Sequence, residues 1–360
     1  MPADLPQIPI QRTTAPRPRP ADDELGFGRF VTDHLFRADW TEVAGWHGAR
    51  VVPYGALPLD PAAAALHYGQ AIFEGMKAFP RPGARAALFR PADHATRFAQ
   101  SARRLAMPPI DPGLLLEGVR ALLRVDAGWM PAAPGTALYV RPVMFGSEAF
   151  LGVRPARSYT TLVMLSPVGG YFSGPPRPLR LWVERARARA ARGGIGAAKA
   201  AANYVASLLA AEEAKARGHD QVLWLDAAEA RWLEEVGTMN VFVRLADALV
   251  TPPLSGTILA GVTRDSVLRL CRARGLRVEE RPIALDEVVA AHRAGTLREV
   301  FGTGTAAVVS TVGELAWEGE ALALPAPRPD DLAEALRREL GAIQRGEARD
   351  EWGWMEDVPA

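Results

Sequence analysis

Arg192-Gly193-Gly194-Ile195-Gly196-Ala197-Ala198-Lys199-Ala200-Ala201-Ala202-Asn203-Tyr204 sets one lysine in a run of glycine and alanine, with a tyrosine five residues on. Small residues let other groups approach the backbone closely. A lysine held among them and partly out of water loses affinity for its proton, and becomes an amine nucleophile able to condense with a carbonyl. The competing reading is a solvated surface lysine. A second competitor, a phosphate-binding P-loop from Gly194 to Lys199, fails because Ala200 stands where that motif needs Ser or Thr and the glycine spacing is wrong.

The whole chain frames this segment. Its 360 residues have room for two domains, and 49% hydrophobic with 23% charged residues is a globular composition. A formal net charge of +1 argues against nucleic acid or a membrane surface as partner. The single cysteine, Cys271, excludes an internal disulfide and fits a reducing compartment. Residues 1–24 are rich in Pro, Arg and Asp, unlike a signal peptide, and no apolar run reaches bilayer length, so a cytoplasmic protein is expected.

Toward the C-terminus, Val205 to Arg217 reads as a helix closed by Gly218, and Gln221 to Asp226 as a strand. Trp232 to Val243 reads as a strand, a turn at Gly237 and another strand. Period two sets Glu234 and Glu235 on opposite faces, one inside and one outside. A carboxylate inside needs a cationic or protonated partner. Gly261-Val262-Thr263-Arg264-Asp265-Ser266 opens a helix running to about Arg274; its N-terminus offers N–H groups and the positive end of a dipole, which suits a phosphate. Gly302-Thr303-Gly304-Thr305-Ala306-Ala307 is a second turn of N–H and hydroxyl donors. A plain tight turn is the competing reading of both. Asp331 to Gln344 is a final amphipathic helix.

Toward the N-terminus, Leu179 to Glu184 is a strand, preceded by the Gly/Pro cluster 169–178, a domain boundary able to serve as a lid. Thr160 to Val168 is an apolar, buried strand. In the strand Thr136 to Phe145, Tyr139 and Arg141 share one face and Leu138 and Val140 the other. A phenol beside a guanidinium suits a carboxylate, with a cross-strand ion pair as the alternative. Two amphipathic helices precede it, one from Ala92 through Leu105 that carries Arg97, the other from Leu114 to Val125. His67 to Phe79 reads as a short helix running into a strand, and Phe27 to Phe36 as a strand. Six prolines make residues 1–24 an extended arm. Both halves mix strands and helices, an α/β or mixed α+β chain.

In this order FGRFVTDH (27–34), LHYGQAIFEGMKAF (66–79), LFRP (88–91) with the arginine helix after it, LYVRPV (138–143), SPVGGYF (166–172), KAAANY (199–204), QVLWLD (221–226), EVGTMNVF (235–242), GVTRDS (261–266) and EVFGTGTAA (299–307) resemble the branched-chain amino-acid aminotransferases. The resemblance runs from about Phe27 to Trp352. It implies a two-domain fold type IV pyridoxal-phosphate enzyme: an arm over 1–24, a smaller N-terminal domain over 25–168, an interdomain loop over 169–178 and a larger cofactor domain over 179–360. It also implies a homodimer.

The resemblance further implies roles. Lys199 matches the Schiff-base lysine and general acid/base, Glu235 the carboxylate facing the pyridine nitrogen, and Tyr204 the partner of the phenolic oxygen. Arg97, Val262, Thr263 and Thr305 match the phosphate donors, which need no metal. Tyr139, Arg141, Thr238 and the Thr305-Ala306 turn match the residues that receive substrate carboxylates. Phe27, Tyr68 and Phe73 match the apolar wall for a branched side chain, Tyr68 crossing from the partner subunit. The reaction implied moves the amino group of L-leucine, L-isoleucine or L-valine to 2-oxoglutarate. Alternatives are a relative acting on D-amino acids or an unusual biosynthetic amino acid, an aminodeoxychorismate lyase-like enzyme, or a non-catalytic binding protein. Two departures stand out: Ala200-Ala201-Ala202 replaces a large apolar residue and two glycines, and Val308 and Val309 replace a redox cysteine pair.

Overall fold

The computed structural model describes residues 7–81, 83–169 and 177–359. They form two units, one of residues 7–81, 83–169, 198–202 and 341–359, the other of 177–197 and 203–340.

The first unit is built on strands β1 (His34–Thr41), β2 (Gly45–Pro53), β3 (Ala71–Phe73), β4 (Met76–Phe79), β5 (Ala86–Phe89), β6 (Ala137–Gly146) and β7 (Ser158–Val168), with helices α1 (Ala64–Tyr68), α2 (Pro91–Arg104) and α3 (Pro112–Val125). β6 and β7 pair antiparallel from Ala137↔Val168 to Gly146↔Tyr159. Leu138 and Val140 are fully buried in a core with Leu88, Phe98, Leu115 and Leu122, as their period-two spacing requires. Asp111 caps α3 by accepting the Leu114 N–H at 3.0 Å. Gly118 lets α3 close on β1, since a Cβ there would stand 2.6 Å from the Phe36 ring.

Two expectations change here. The strand expected over Phe27–Phe36 begins only at His34, because Gly26 and Gly28 take left-handed φ of 58° and 71° and turn the chain. The helix-to-strand run of 67–79 is interrupted twice, at Gly69 and at Glu74-Gly75 between β3 and β4. The described part of the arm is docked. Val51 exchanges backbone bonds with Pro9 and Gln11, Thr13 N–H donates to His34 Nε2 at 2.8 Å, and Arg17 N–H donates to Asp33 at 2.8 Å.

The second unit contains β8 (Leu179–Glu184), β9 (Gln221–Leu225), β10 (Leu233–Val236), β11 (Met239–Leu245), β12 (Leu249–Thr251), β13 (Val278–Glu280), β14 (Leu297–Gly304), β15 (Val308–Trp317) and β16 (Glu320–Ala323). Its helices are α5 (Leu208–Ala216), α6 (Val262–Ala273) and α7 (Leu285–Arg293); α4 (Ala201–Val205) and α8 (Leu332–Arg345) each run from one unit into the other. The order β10-β9-β8-β15-β14-β11, with β10 also paired to β11, closes six strands into a barrel. Closure explains a third difference: Glu234 and Glu235 are both buried, at 5% and 3% exposure, instead of one inside and one outside.

The chain ends away from the domain expected over 179–360. Strand β17 (Met355–Val358) pairs antiparallel with β5, so the last residues belong to the first unit, at the edge of its sheet β17-β5-β4-β6-β7-β1-β2. Most of the expected interdomain loop, residues 170–176, lies outside the described residues. Among the described residues no helix is long and apolar enough to cross a membrane, and no three His, Cys, Asp or Glu side chains group as metal ligands.

Candidate active site

In the first unit the lysine is fixed through its backbone. Lys199 N–H donates to Ser101 Oγ at 2.9 Å, its carbonyl accepts the Phe73 N–H at 3.0 Å, and Ala200 bridges Ile72. Lys199 Nζ stands 4.8 Å from the centre of the Phe73 ring. Burial is the largest influence on that amine and lowers its pKa; the Arg97 and Arg141 charges act the same way, while Glu74 and Tyr139 oppose them.

Arg97 is 7% exposed on α2 and grips Glu74 with two bonds, Nε to Oε2 at 2.8 Å and Nη2 to Oε1 at 2.5 Å. Glu74 also accepts the Gly75 N–H at 2.7 Å, and its Oε1 lies 3.2 Å from His94 Nδ1. Burial by itself pushes the Glu74 carboxyl up, but the Arg97 charge and the bonds from Arg97 and His94 hold it far below the usual carboxylate range. Sequence reading had assigned Glu74 no role; its only signal was a charge inside an apolar, glycine-bounded run.

Arg141 Nη2 donates to Tyr139 Oη at 3.2 Å, which puts both on one face of β6. The Arg141 guanidinium lies over the Phe73 and Tyr139 rings, at 4.8 and 5.1 Å, and Phe27 meets Tyr139 edge-on at 4.9 Å. Gly75 is obligatory beneath them, since a Cβ there would fall 1.9 Å from the Tyr139 hydroxyl. Phe27, Phe73, Tyr139, Arg141 and Lys199 are thus linked in this unit. Tyr68 stands outside that group, 44% exposed, its hydroxyl donating to the Leu151 carbonyl.

The second unit holds the remaining candidates. Glu235, on β10, accepts the Leu259 N–H at 3.1 Å and the Asn240 Nδ2 at 3.3 Å through Oε1, while its Oε2 is 2.7 Å from Arg189 Nε. Asn240 also donates to the Leu259 carbonyl at 2.9 Å, and its Oδ1 occupies the space of the Cβ that Gly261 lacks, 2.0 Å from where that atom would be. Gly261 is the N-cap of α6 and has no side chain to cap it; Val262 and Thr263, both buried, begin the helix. Thr238 is exposed in the β10–β11 turn. Thr305 and Ala306, half-buried, form the turn between β14 and β15, next to the buried Thr303 hydroxyl, which has no hydrogen-bond partner among the described residues. Tyr204 is half-buried on α4, while the adjacent Asn203 anchors the helix by donating to the Ile195 carbonyl at 2.9 Å. Arg189 is the residue that sequence reading missed: in Arg185-Ala186-Arg187-Ala188-Arg189 every arginine reads alike.

Each unit by itself holds groups of the kinds pyridoxal phosphate uses: in the first, a lysine amine that suits its carbonyl and an arginine that suits a phosphate; in the second, a buried carboxylate that suits a ring nitrogen and a helix N-terminus that suits a phosphate. A family model described as "Amino-transferase class IV" matches residues 71–315. The chain is 45% identical over 353 residues to "Branched-chain-amino-acid aminotransferase 2" of Bacillus subtilis, covering 98% of this chain and 97% of that one. It is 46% identical over 337 residues to a branched-chain-amino-acid aminotransferase of Mycobacterium tuberculosis, 92% of each chain. Among solved structures it resembles the Escherichia coli branched-chain amino acid aminotransferase, with TM-score 0.75 and 26% identity over 91% of this chain and 99% of that one. It also resembles the T.th. branched-chain amino acid aminotransferase complexed with N-(5'-phosphopyridoxyl)-L-glutamate, with TM-score 0.71 and 28% identity over 89% and 98%.

Proposed function

This chain belongs to the branched-chain amino-acid aminotransferases of class IV, enzymes of pyridoxal phosphate, and we propose that it moves the amino group of L-leucine, L-isoleucine or L-valine to 2-oxoglutarate, giving the branched 2-oxo acid and L-glutamate. The observation that carries the reading is the placement of Lys199, its backbone held by Ser101 and Phe73 and its Nζ 4.8 Å from the centre of the Phe73 ring, over which the Arg141 guanidinium also lies.

When bound, pyridoxal phosphate supplies a carbonyl that accepts the amino group and a ring that withdraws electrons from Cα. The chain's own residues do the rest. Lys199 would hold the cofactor, and its Nζ, when free, would move the proton at Cα of the bound amino acid. A lowered pKa leaves more of that amine unprotonated at neutral pH, as a base must be. Glu235 would keep a proton on the ring nitrogen, Tyr204 would orient the phenolic oxygen, and Arg97, Val262, Thr263 and Thr305 would hold the phosphate. Thr305, Ala306 and Thr238 receive the α-carboxylate. Phe27 and Phe73 exclude water from a branched side chain, and Arg141 with Tyr139 receives the γ-carboxylate of glutamate when that substrate takes its turn. The same pocket thus accepts apolar and acidic side chains in alternation.

The test is the visible spectrum of the purified, cofactor-loaded protein. L-leucine should convert the bound-cofactor band, and 2-oxoglutarate should restore it; a band that ignores L-leucine and answers D-alanine would move the substrate to another class. Lys199→Ala should abolish turnover, and full activity in that variant would reject the mechanism. Arg141→Met should slow the glutamate half-reaction at least about tenfold more than the leucine half-reaction. Equal losses would remove Arg141 from the γ-carboxylate.

We also read the protein as a cytoplasmic homodimer. In the first unit Leu66, Tyr68, Leu151 and Val153 are 60%, 44%, 62% and 88% exposed; in the second, Val205, Leu208 and Leu209 are 69%, 58% and 59% exposed. Apolar clusters of this kind favour a covering partner, and a second copy is the occupant the family reading supplies.

A further inference from the structure

Glu235 has two unlike sides. Its Oε1 faces neutral donors, the Leu259 N–H and the Asn240 amide, and its Oε2 faces a cation, Arg189 Nε at 2.7 Å. The pair is enclosed, with side chains 8% and 4% exposed. It is a charge contact without the alignment of a hydrogen bond, since among the described residues Arg189 Nε has no hydrogen-bond partner by direction.

Arg189 is placed by the backbone rather than by Glu235. Its Nη2 donates to the Thr257 carbonyl and to the Gly196 carbonyl, the latter at 3.3 Å. The segment that carries Gly196 must come close for this, and a Cβ there would lie 2.3 Å from the Thr257 oxygen and 2.6 Å from Ala190 Cβ. Two carbonyls therefore hold the guanidinium with its Nε edge toward Oε2. The neighbouring Glu234 sees the same cation and is not its contact. Its Oε1 accepts the Thr257 hydroxyl, and burial pushes its carboxyl up, with Asp226 adding to that and Thr257 and Arg189 opposing. Of two adjacent buried carboxyls, only Glu235 has the cation at contact distance.

We propose that Arg189 is a positioning residue that keeps the proton shared by Glu235 and the cofactor's ring nitrogen on the nitrogen, so that the carboxylate stays ionised. This rests on the reading of Glu235 as the ring-nitrogen partner. The proton has two places, on nitrogen beside a carboxylate or on Glu235 beside a neutral ring. In a buried site the uncharged arrangement wins unless a second cation stabilises the carboxylate. An opposite charge at contact distance shifts a carboxyl by one to three pKa units, about ten- to thousandfold in the proton's partition. A ring that loses its proton is the weaker electron sink.

The experiment loads the full-length protein with pyridoxal phosphate carrying nitrogen-15 in the ring and reads the ring nitrogen by NMR near neutral pH. Arg189→Gln keeps an amide donor for the two carbonyls and removes the charge. Arg189→Lys keeps the charge and gives up the fork. Wild type and Arg189→Lys should show the protonated-ring resonance, and Arg189→Gln the unprotonated one. The leucine half-reaction of Arg189→Gln should slow about tenfold or more, with leucine affinity within about twofold. A protonated ring in Arg189→Gln overturns the proposal, as does loss of the proton in Arg189→Lys at unchanged loading. An unprotonated ring in the wild type rejects instead the reading of Glu235, before Arg189 enters. If Arg189→Gln does not fold, the lysine variant decides alone, because its charge is all that the proposal requires.

Discussion

Glu74 is the residue in which charge, burial and chemistry meet most tightly. A carboxylate with 0% exposure is tolerable because Arg97 binds both its oxygens and the Gly75 N–H a third site. Glu74→Gln should leave the Arg97 cation buried without its counter-charge and destabilise the protein by about 3–5 kcal/mol. Urea unfolding at neutral pH measures this, and a loss under about 1 kcal/mol would mean that the pair is not needed for folding. The pH dependence has a definite sign. The folded carboxyl lies below its ordinary value of 4.5, so its contribution is full above that value and lost as pH falls through the folded one. The wild-type advantage over Glu74→Gln should shrink in acid and not in alkali. Lys77 gives the same sign at a higher pH and for a different reason, a burial penalty on its charged form instead of a favourable ion pair. It lies directly across from Tyr139 in the sheet, and burial brings it from 10.5 to about 8. Between these values the unfolded chain binds more protons than the folded one, so stability rises with pH, by at most about 3 kcal/mol from this group. Lys77→Met should flatten that rise in unfolding curves at pH 8 and 10.5, and an unchanged rise would place its cause in other groups.

At the scale of elements, the start of α6 and the β10–β11 hairpin are one piece of construction. Asn240, on β11, donates to Glu235 on β10 and to the Leu259 carbonyl, while its Oδ1 fills the gap beside Gly261 at the helix N-cap. The φ of Gly261 is −70°, which any residue adopts, so its smallness is needed for space and not for backbone freedom. Gly261→Ala should therefore displace Asn240, lower the melting temperature and weaken cofactor retention. Adding Asn240→Ala should restore much of the melting temperature while leaving retention poor. A double variant no more stable than the single one would show that the clash is not with Asn240. Such neighbours are expected to be non-additive by about 0.5–3 kcal/mol. The glycine turn and its helix were legible from Gly261-Val262-Thr263, and so was the hairpin at Gly237. That Asn240 joins them was not, because 21 residues separate it from Gly261 and no periodicity links them.

At the scale of the molecule, the apolar surface of each unit asks for a partner, and the homodimer reading makes a direct prediction. The protein should sediment at twice its chain mass, and Val153→Asp with Leu209→Asp should shift it toward the monomer with loss of activity, since Tyr68 is read as serving the partner's pocket. A wild type that sediments as a monomer would end that reading. Local pattern was enough for much of the architecture. Alternation placed Leu138 and Val140 in the core, and helical spacing put Ala95, Phe98 and Ala102 on the buried side of α2. Turn chemistry marked the hairpin at Gly237, and the order of motifs identified the family. Those signals are carried by neighbours in sequence, where backbone sterics and the side-chain period act directly. What only the tertiary structure decided lies between residues far apart in the chain. The return of β17 to the edge of β5 pairs residues 86–89 with 355–358. The closing of the barrel buries both Glu234 and Glu235 although alternation would expose one. Glu74 meets an arginine 23 residues on, and Arg189 meets Glu235 across 46. A buried charge has no local signature, because its stability comes from a counter-charge that the fold alone brings within contact.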